Sequence, residues 1–287
     1  MSNWKTLTGG GGSRMILHGE YAVAAELHRI TVWKKEQLWC QQTVDKPQPG
    51  FPRLVNDQLY WGAGVMNLTT RQWQDIPGIW NTLASQAATN YDGYTPTVFS
   101  WSPDAAVVAV SVKWTGQPGP PPAKVLLLNS EGQLLQTLWE DSDLPVAALY
   151  VSDKWILAGT RQFRLFDKDT FASRVIPEKL PAVKIDMTAD EQRLLLLQYD
   201  HIGLWDAATG KEIHRWKGQW NDAAITPDGK YMIAVDFDGK AFRVHTDTPE
   251  ERQVLSAPGA IFSVAADNDR LLAFFMEGAV VRITTLL

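Results

Sequence analysis

The residues in this 287-residue chain whose types could do chemistry are five histidines, one cysteine and a handful of carboxylate clusters. His18, His28, His201, His214 and His245 show no His-Glu-x-x-His or other metal-ligand spacing. His28 and His201 are the two that a central channel could bring together on a metal. Cys40 has no histidine placed by sequence to activate it, and no Gly-x-Ser-x-Gly nucleophile elbow is present. Glu140, Asp141 and Asp143, then Asp167 with Asp169, Asp236 with Asp238 and Asp267 with Asp269 offer the oxygens that calcium takes. None fits the calcium-loop pattern, and aspartate is equally the residue of tight turns, where its carboxylate accepts backbone N–H groups two residues on. "GAGVMN" from Gly62 carries two of three fingerprint glycines with no helix to follow, so neither a phosphate site nor a cofactor is expected. The expectation is a chain that is not an enzyme. One alternative is a lactonase- or hydrolase-like protein with a divalent metal in a channel, and another is a small-ligand or glycan binder.

The stretch "HIGLWDAATGKEIHRW", 201–216, shows what the elements are instead. Its pattern of apolar, any, apolar, bulky, polar recurs from Ile30 ("ITVWK"), Val65 ("VMNLT"), Val125 ("VLLLN"), Phe163 ("FRLFD"), Ile202 ("IGLWD"), Phe242 ("FRVHT") and Val281 ("VRITT"). Successive starts are 35, 60, 38, 39, 40 and 39 residues apart, so one interval carries a surplus of about 22 over a period near 40, the period of propeller blades. A second series runs ahead of the first: turns at Asp104, Asp153, Asp190, Asp228 and Asp267, each followed by a continuously apolar strand. Each repeat thus predicts four strands, continuously apolar early and alternating late, as in a radial sheet covered on both faces except at its outer edge. No helical period is sustained.

The fold expected is all-β, a seven-bladed β-propeller of four-stranded antiparallel blades over 14–43, 51–76, 97–139, 146–177, 182–216, 221–256 and 260–285. The seventh copy ends at Thr285 without a fourth strand, while residues 3–8 precede the first blade without a place in it. Pairing the two closes the ring and removes exposed strand edges. Trp33, Leu68, Leu128, Phe166 and Trp205 become equivalent third-strand packing residues.

Composition narrows the partners. With 45% hydrophobic and 21% charged residues the chain is globular, and a net charge of −5 leaves no broad basic face for nucleic acid. A single cysteine suits a reducing compartment, and the absence of an apolar leader or an 18-residue apolar run argues against a membrane, so a cytoplasmic location is expected. "GGGGS" at 9–13 reads equally as a natural flexible turn and as an inserted linker.

"IGLWD", "FRLFD", "ITVWK", "WSPD" and "ITPDG" resemble the WD-repeat propellers over nearly the whole chain. The repeats are degenerate: only Trp205-Asp206 is a true Trp-Asp pair, and no Gly-His dipeptide opens a blade. The hydrogen-bonded His-Ser/Thr-Asp-Trp tetrad of that family is therefore not expected. The pattern is similar to divergent bacterial WD-like or quinoprotein-like propellers. That resemblance implies a protein-binding scaffold in a complex, with an AAA+ or von Willebrand-type partner, and says little of biochemistry because propellers host many functions.

The surplus sequence maps to one blade. The link between the second and third strands of blade three, Trp114 to Lys124, is long, and so is the link 76–96 that leads into that blade. With "VDKPQPGF" at 44–51 these form three proline-bearing loops expected on one face, and long loops on a rigid scaffold carry function disproportionately. The candidate partner-binding residues are Trp80, Tyr91, Asp92, Tyr94, Trp114, Pro120, Pro121 and Pro122. Exposed aromatics anchor interfaces and polyproline presents its backbone already ordered. The competing reading is that Trp80 and Trp114 cap the core of blade three.

Overall fold

A computed structural model describes residues 4–9, 12–85, 94–114, 123–141, 146, 148–159, 163–177 and 182–286; for residues 94, 95, 114, 140 and 141 only the backbone is described. The chain forms seven four-stranded antiparallel sheets, the blades of a seven-bladed β-propeller, with strands named a to d here in chain order. Six blades are continuous in sequence. The seventh takes its d strand, Lys5–Leu7, from the N-terminus, paired with Val280–Thr285 in the register Lys5 to Ile283 and Leu7 to Val281. Leu7 is buried, and the Thr8 carbonyl accepts the Trp33 indole N–H at 2.6 Å, so the closing strand is tied to blade one as well.

Two compact units divide the chain. Residues 1–45 and 183–287 hold blades five, six, seven and one, and residues 46–182 hold blades two, three and four. In the first unit the a strands are Lys184–Met187, Trp220–Ile225, Ile261–Ala266 and Arg14–His18, each packed beside the next in that order. Every copy of the "IGLWD" pattern falls on a c strand: Arg29–Lys34, Gly64–Asn67 running into Leu68, Ala123–Asn129, Phe163–Asp167, His201–Asp206, Ala241–His245 and Val280–Thr285. Trp33, Leu68, Leu128, Phe166 and Trp205 are all buried at the packing position, where each apolar side chain contributes about 1.5–3 kcal/mol.

The a-to-b turns are built by repeated chemistry. The hydroxyls of Ser102, Thr188 and Thr226 donate to Asp104, Asp190 and Asp228 at 2.6, 2.6 and 2.7 Å. The same hydroxyls accept the N–H groups of Val107, Arg193 and Tyr231, and each aspartate accepts a further backbone N–H. The c-to-d turns use Asn67, Asn129, Asp167 and Asp206 the same way; Asp206 takes the N–H and hydroxyl of Thr209.

Among the described residues one α-helix and one short 3-10 helix, Glu277–Ala279, depart from the expected all-strand pattern. Residues Pro77–Ser85 form an α-helix, α1, with Ile79 and Leu83 buried one turn apart against blade three. Nine residues are too few to show a helical period over the windows in which a period is read, which is why the pattern missed it.

Candidate functional site

α1 redraws the expected loop face. The Thr82 hydroxyl donates to the Gly132 carbonyl at 2.6 Å, and a side chain at Gly78 would collide with the Glu131 carbonyl. Glu131 and Gly132 form the c-to-d turn of blade three, at the end opposite to Tyr94 and Trp114, whose backbones pair where strands Tyr94–Trp101 and Val107–Trp114 meet the b-to-c link. The expected placement of the whole link 76–96 on a single face is therefore corrected for its first half: the helix runs along the flank of the blade because Ile79, Trp80 and Leu83 have a core to cover.

Trp80 is one of those covering residues. It packs on the cluster containing Phe99, Trp101 and Val110, meets the Phe99 ring edge-on at 6.5 Å and carries the Lys46 ammonium 4.6 Å from its ring centre. The third loop is a packed strap as well. Pro49 accepts the Phe99 N–H at 3.0 Å, the buried Gln48 side chain accepts the Ala63 N–H at 2.7 Å, and Gly50, with φ of +124°, has the Phe99 carbonyl where a side chain would stand. Tyr94 and Trp114 are strand residues known by backbone, and Tyr91, Asp92, Pro120, Pro121 and Pro122 lie outside the described residues.

Several of the chemistry-bearing side chains make contacts of the fold, while Asp143 and the side chains of Glu140 and Asp141 lie outside the described residues. Asp167, Asp206, Asp236 and Asp267 each accept backbone N–H groups of their own turns. His28 meets the Val44 carbonyl, His201 is buried against Asp200 at 2.6 Å, and His214 and His245 meet the rings of Trp216 and Tyr231 edge-on. Among the described residues no three His, Cys, Asp or Glu side chains are grouped to hold a metal ion, and no helix is long and apolar enough to cross a membrane. Cys40 lies half-buried on the d strand Gln37–Thr43.

A buried polar network that the sequence reading passed over joins the a strands of the first unit. Lys184 donates to Asp222 Oδ1 at 2.8 Å and to the Val264 carbonyl at 3.1 Å. Asp222 Oδ1 also accepts the Ala223 N–H, while Oδ2 accepts the Val264 N–H at 2.8 Å and the Ser263 hydroxyl, whose oxygen lies 2.6 Å from the Ser13 carbonyl. Asp186 accepts the N–H groups of Met187 and Ile225. Burial pushes its carboxyl above the usual carboxylate range, against the pull of Lys184. Blades five to six, six to seven and seven to one are thus each bridged by a side chain of one a strand reaching the next. The lattice suits cohesion, since both oxygens of each carboxylate are occupied by protein donors. Lys184-x-Asp186 inside an apolar strand was the available signal, because charges there are rarely buried unpaired.

No family model matches the chain, and no curated protein matches it. Among solved structures it is similar to the β-propeller domain of Myceliophteria thermophila Cps50 (Swd1), at a TM-score of 0.73 and 12% identity over 100% of both chains. At that identity the likeness shows the fold alone, a β-propeller.

Proposed function

We propose that this propeller is a non-catalytic protein-interaction scaffold that displays the loop-rich end of blade three to a partner in a cytosolic, bacterial complex. The observation that carries the reading is the placement of the surplus. The other five intervals between repeats stay within 35 to 40 residues, while the surplus stretches 86–93, with Tyr91 and Asp92, and 115–122, with Pro120, Pro121 and Pro122, adjoin in sequence Tyr94 and Trp114, whose strands pair in blade three. A rigid blade bearing extended loops is the usual arrangement for recognition. The proposed contact residues are Tyr91, Asp92, Tyr94, Trp114, Pro120, Pro121 and Pro122; Trp80 is assigned to packing. The degenerate Trp-Asp repeats support the bacterial assignment, and the resemblance points to an AAA+ or von Willebrand-type partner.

The test is co-purification from the native host followed by mass spectrometry, comparing wild type with a Tyr91→Ala, Tyr94→Ala, Trp114→Ala variant. Loss of specific partners at an unchanged melting temperature supports the reading, and retention of every partner refutes it. Trp80→Ala serves as the packing control and is expected to lower the melting temperature.

A further inference from the structure

The described residues expose twelve large apolar side chains, and their placement divides cleanly. Six lie on fourth strands, where a propeller meets water in any case: Leu38, Leu134, Leu135, Val175, Ile213 and Val254. The other six are Leu27, Val183, Tyr199, Phe237, Phe262 and Met276, all in the first unit and all at the end of its blades formed by the b-to-c and d-to-a connections.

Every b-to-c connection of that unit carries one. Leu27 sits between Glu26 and Arg29, Tyr199 between Gln198 and His201, and Phe237 between Asp236 and Lys240. Each of these three turns is closed by a backbone hydrogen bond of 2.8 to 3.0 Å between the flanking residues. Met276 follows Phe275 directly in blade seven and is 65% exposed. Turns this tight hold their tip residue away from the core, so folding does not account for a large apolar side chain at these three, and Met276 stands equally exposed where it caps the 3-10 helix Glu277–Ala279. Phe262 reaches the same end because the strand pairing shifts register between Ile261 and Ser263, turning it outward.

The charges at this end decide what the row can take. Glu26 and Arg29 neutralise each other at 2.8 Å. Beyond that pair, Asp45, Asp200, Asp236, Asp238 and Glu277 stand against Arg14, Lys217 and Lys240, five carboxylates to three cationic side chains. A second copy of this chain would bring the same acidic end against its own, and each chain already carries a net charge of −5. An anionic lipid surface or a nucleic acid backbone meets the same repulsion. A polypeptide segment with large apolar side chains between lysines and arginines gains on both counts.

We infer that the b-to-c turns of blades five, six, seven and one form a second docking surface, taking a basic segment of a partner protein with apolar anchors seated on Leu27, Tyr199, Phe237 and Met276. This deepens the scaffold reading and rests on it, but it uses blades other than the blade-three loops.

The experiment is selection of random 12-residue peptides displayed on phage against the whole protein, followed by affinity measurement on synthetic winners. The expected winners carry Lys or Arg interleaved with Leu, Ile, Phe or Trp. Their binding falls at least tenfold in a Tyr199→Ser, Phe237→Ser, Met276→Ser variant whose melting temperature is unchanged, and it weakens in Asp200→Asn, Asp238→Asn, Glu277→Gln and at higher salt. Acidic winners, winners without apolar residues, or binding that survives the triple serine variant overturn the inference. So does sedimentation showing a dimer that the triple variant dissolves, or binding of anionic vesicles of equal strength. Winners displaced by the blade-three loop variant, and untouched by the serine variant, remove this surface and leave the scaffold reading standing. A selection yielding no binder to either surface removes both.

Discussion

Replacing Asp222 with alanine is expected to cost more than replacing its partner Lys184 with methionine, and the difference can be worked from the contacts. The side chains of Lys184 and Asp222 are 11% and 7% exposed, so the pair is held out of water. Asp222→Ala removes the carboxylate facing the ammonium. It also strips acceptors from the Ala223 N–H, the Val264 N–H and the Ser263 hydroxyl. Breaking a buried ion pair from one side costs about 3–5 kcal/mol. Lys184→Met leaves Asp222 with those three neutral donors, so its cost is expected at about 1–3 kcal/mol. Once Asp222 is alanine, adding Lys184→Met should cost under about 1 kcal/mol, because the ion pair is already gone and only the bond to the Val264 carbonyl remains to be lost. Urea unfolding followed by the fluorescence of the 13 tryptophans measures all four corners of this cycle. Costs that simply add to within about 0.5 kcal/mol, or a larger cost for Lys184→Met than for Asp222→Ala, would refute the assignment of Asp222 as the centre of the network.

Trp205→Ala should destabilise by about 3–5 kcal/mol through the cavity it leaves, with partner binding per folded molecule unchanged; selective loss of binding would contradict a packing role. Removing residues 1–8 should sharply lower the melting temperature and promote association, because it deletes buried Leu7, takes the acceptor from Trp33 and exposes the edge of strand Val280–Thr285; an unchanged melting temperature would argue against the closure. The Ser102 and Thr188 hydroxyls, and the backbone N–H groups behind them, hold Asp104 and Asp190 below the usual carboxylate range. Groups with depressed folded values contribute stability above the unfolded value near pH ~3.9, and that contribution disappears as pH falls through the folded value. Ser102→Ala and Thr188→Ala should therefore cost about 1 kcal/mol each at pH 7 and soften the loss of stability below pH ~4, with the Asp104 and Asp190 carboxyl titrations moving up by NMR.

The repeat was legible in the chain because a blade is a local object. Its four strands and three turns occupy about 40 consecutive residues, and the identity of each position is set by neighbours within that span. Trp33, Phe166 and Trp205 recur because their blades bury the same c-strand position, and Asp104, Asp190 and Asp228 recur because the a-to-b turns of blades three, five and six have the same orphan N–H groups to satisfy. Even closure could be read, since a seventh repeat short of one strand and an N-terminal strand without a sheet have one economical solution.

What no local window contains is how one blade meets the next. Lys184 and Asp222 stand 38 residues apart and Ser263 a further 41, so their pairing exists only once three a strands lie side by side. The helix Pro77–Ser85 was hidden for a related reason: its apolar face is short and is completed by blade three, on whose core Trp80 also packs. Leu27, Tyr199, Phe237 and Met276 are unremarked singly in sequence. Tertiary packing sets their four turns in consecutive blades at one end of one unit, where exposure and a shared acidic surround give them a common meaning. Strand pattern and turn chemistry depend on near neighbours and can be read along the chain, while surfaces and buried charge networks depend on distant ones and appear only in the fold.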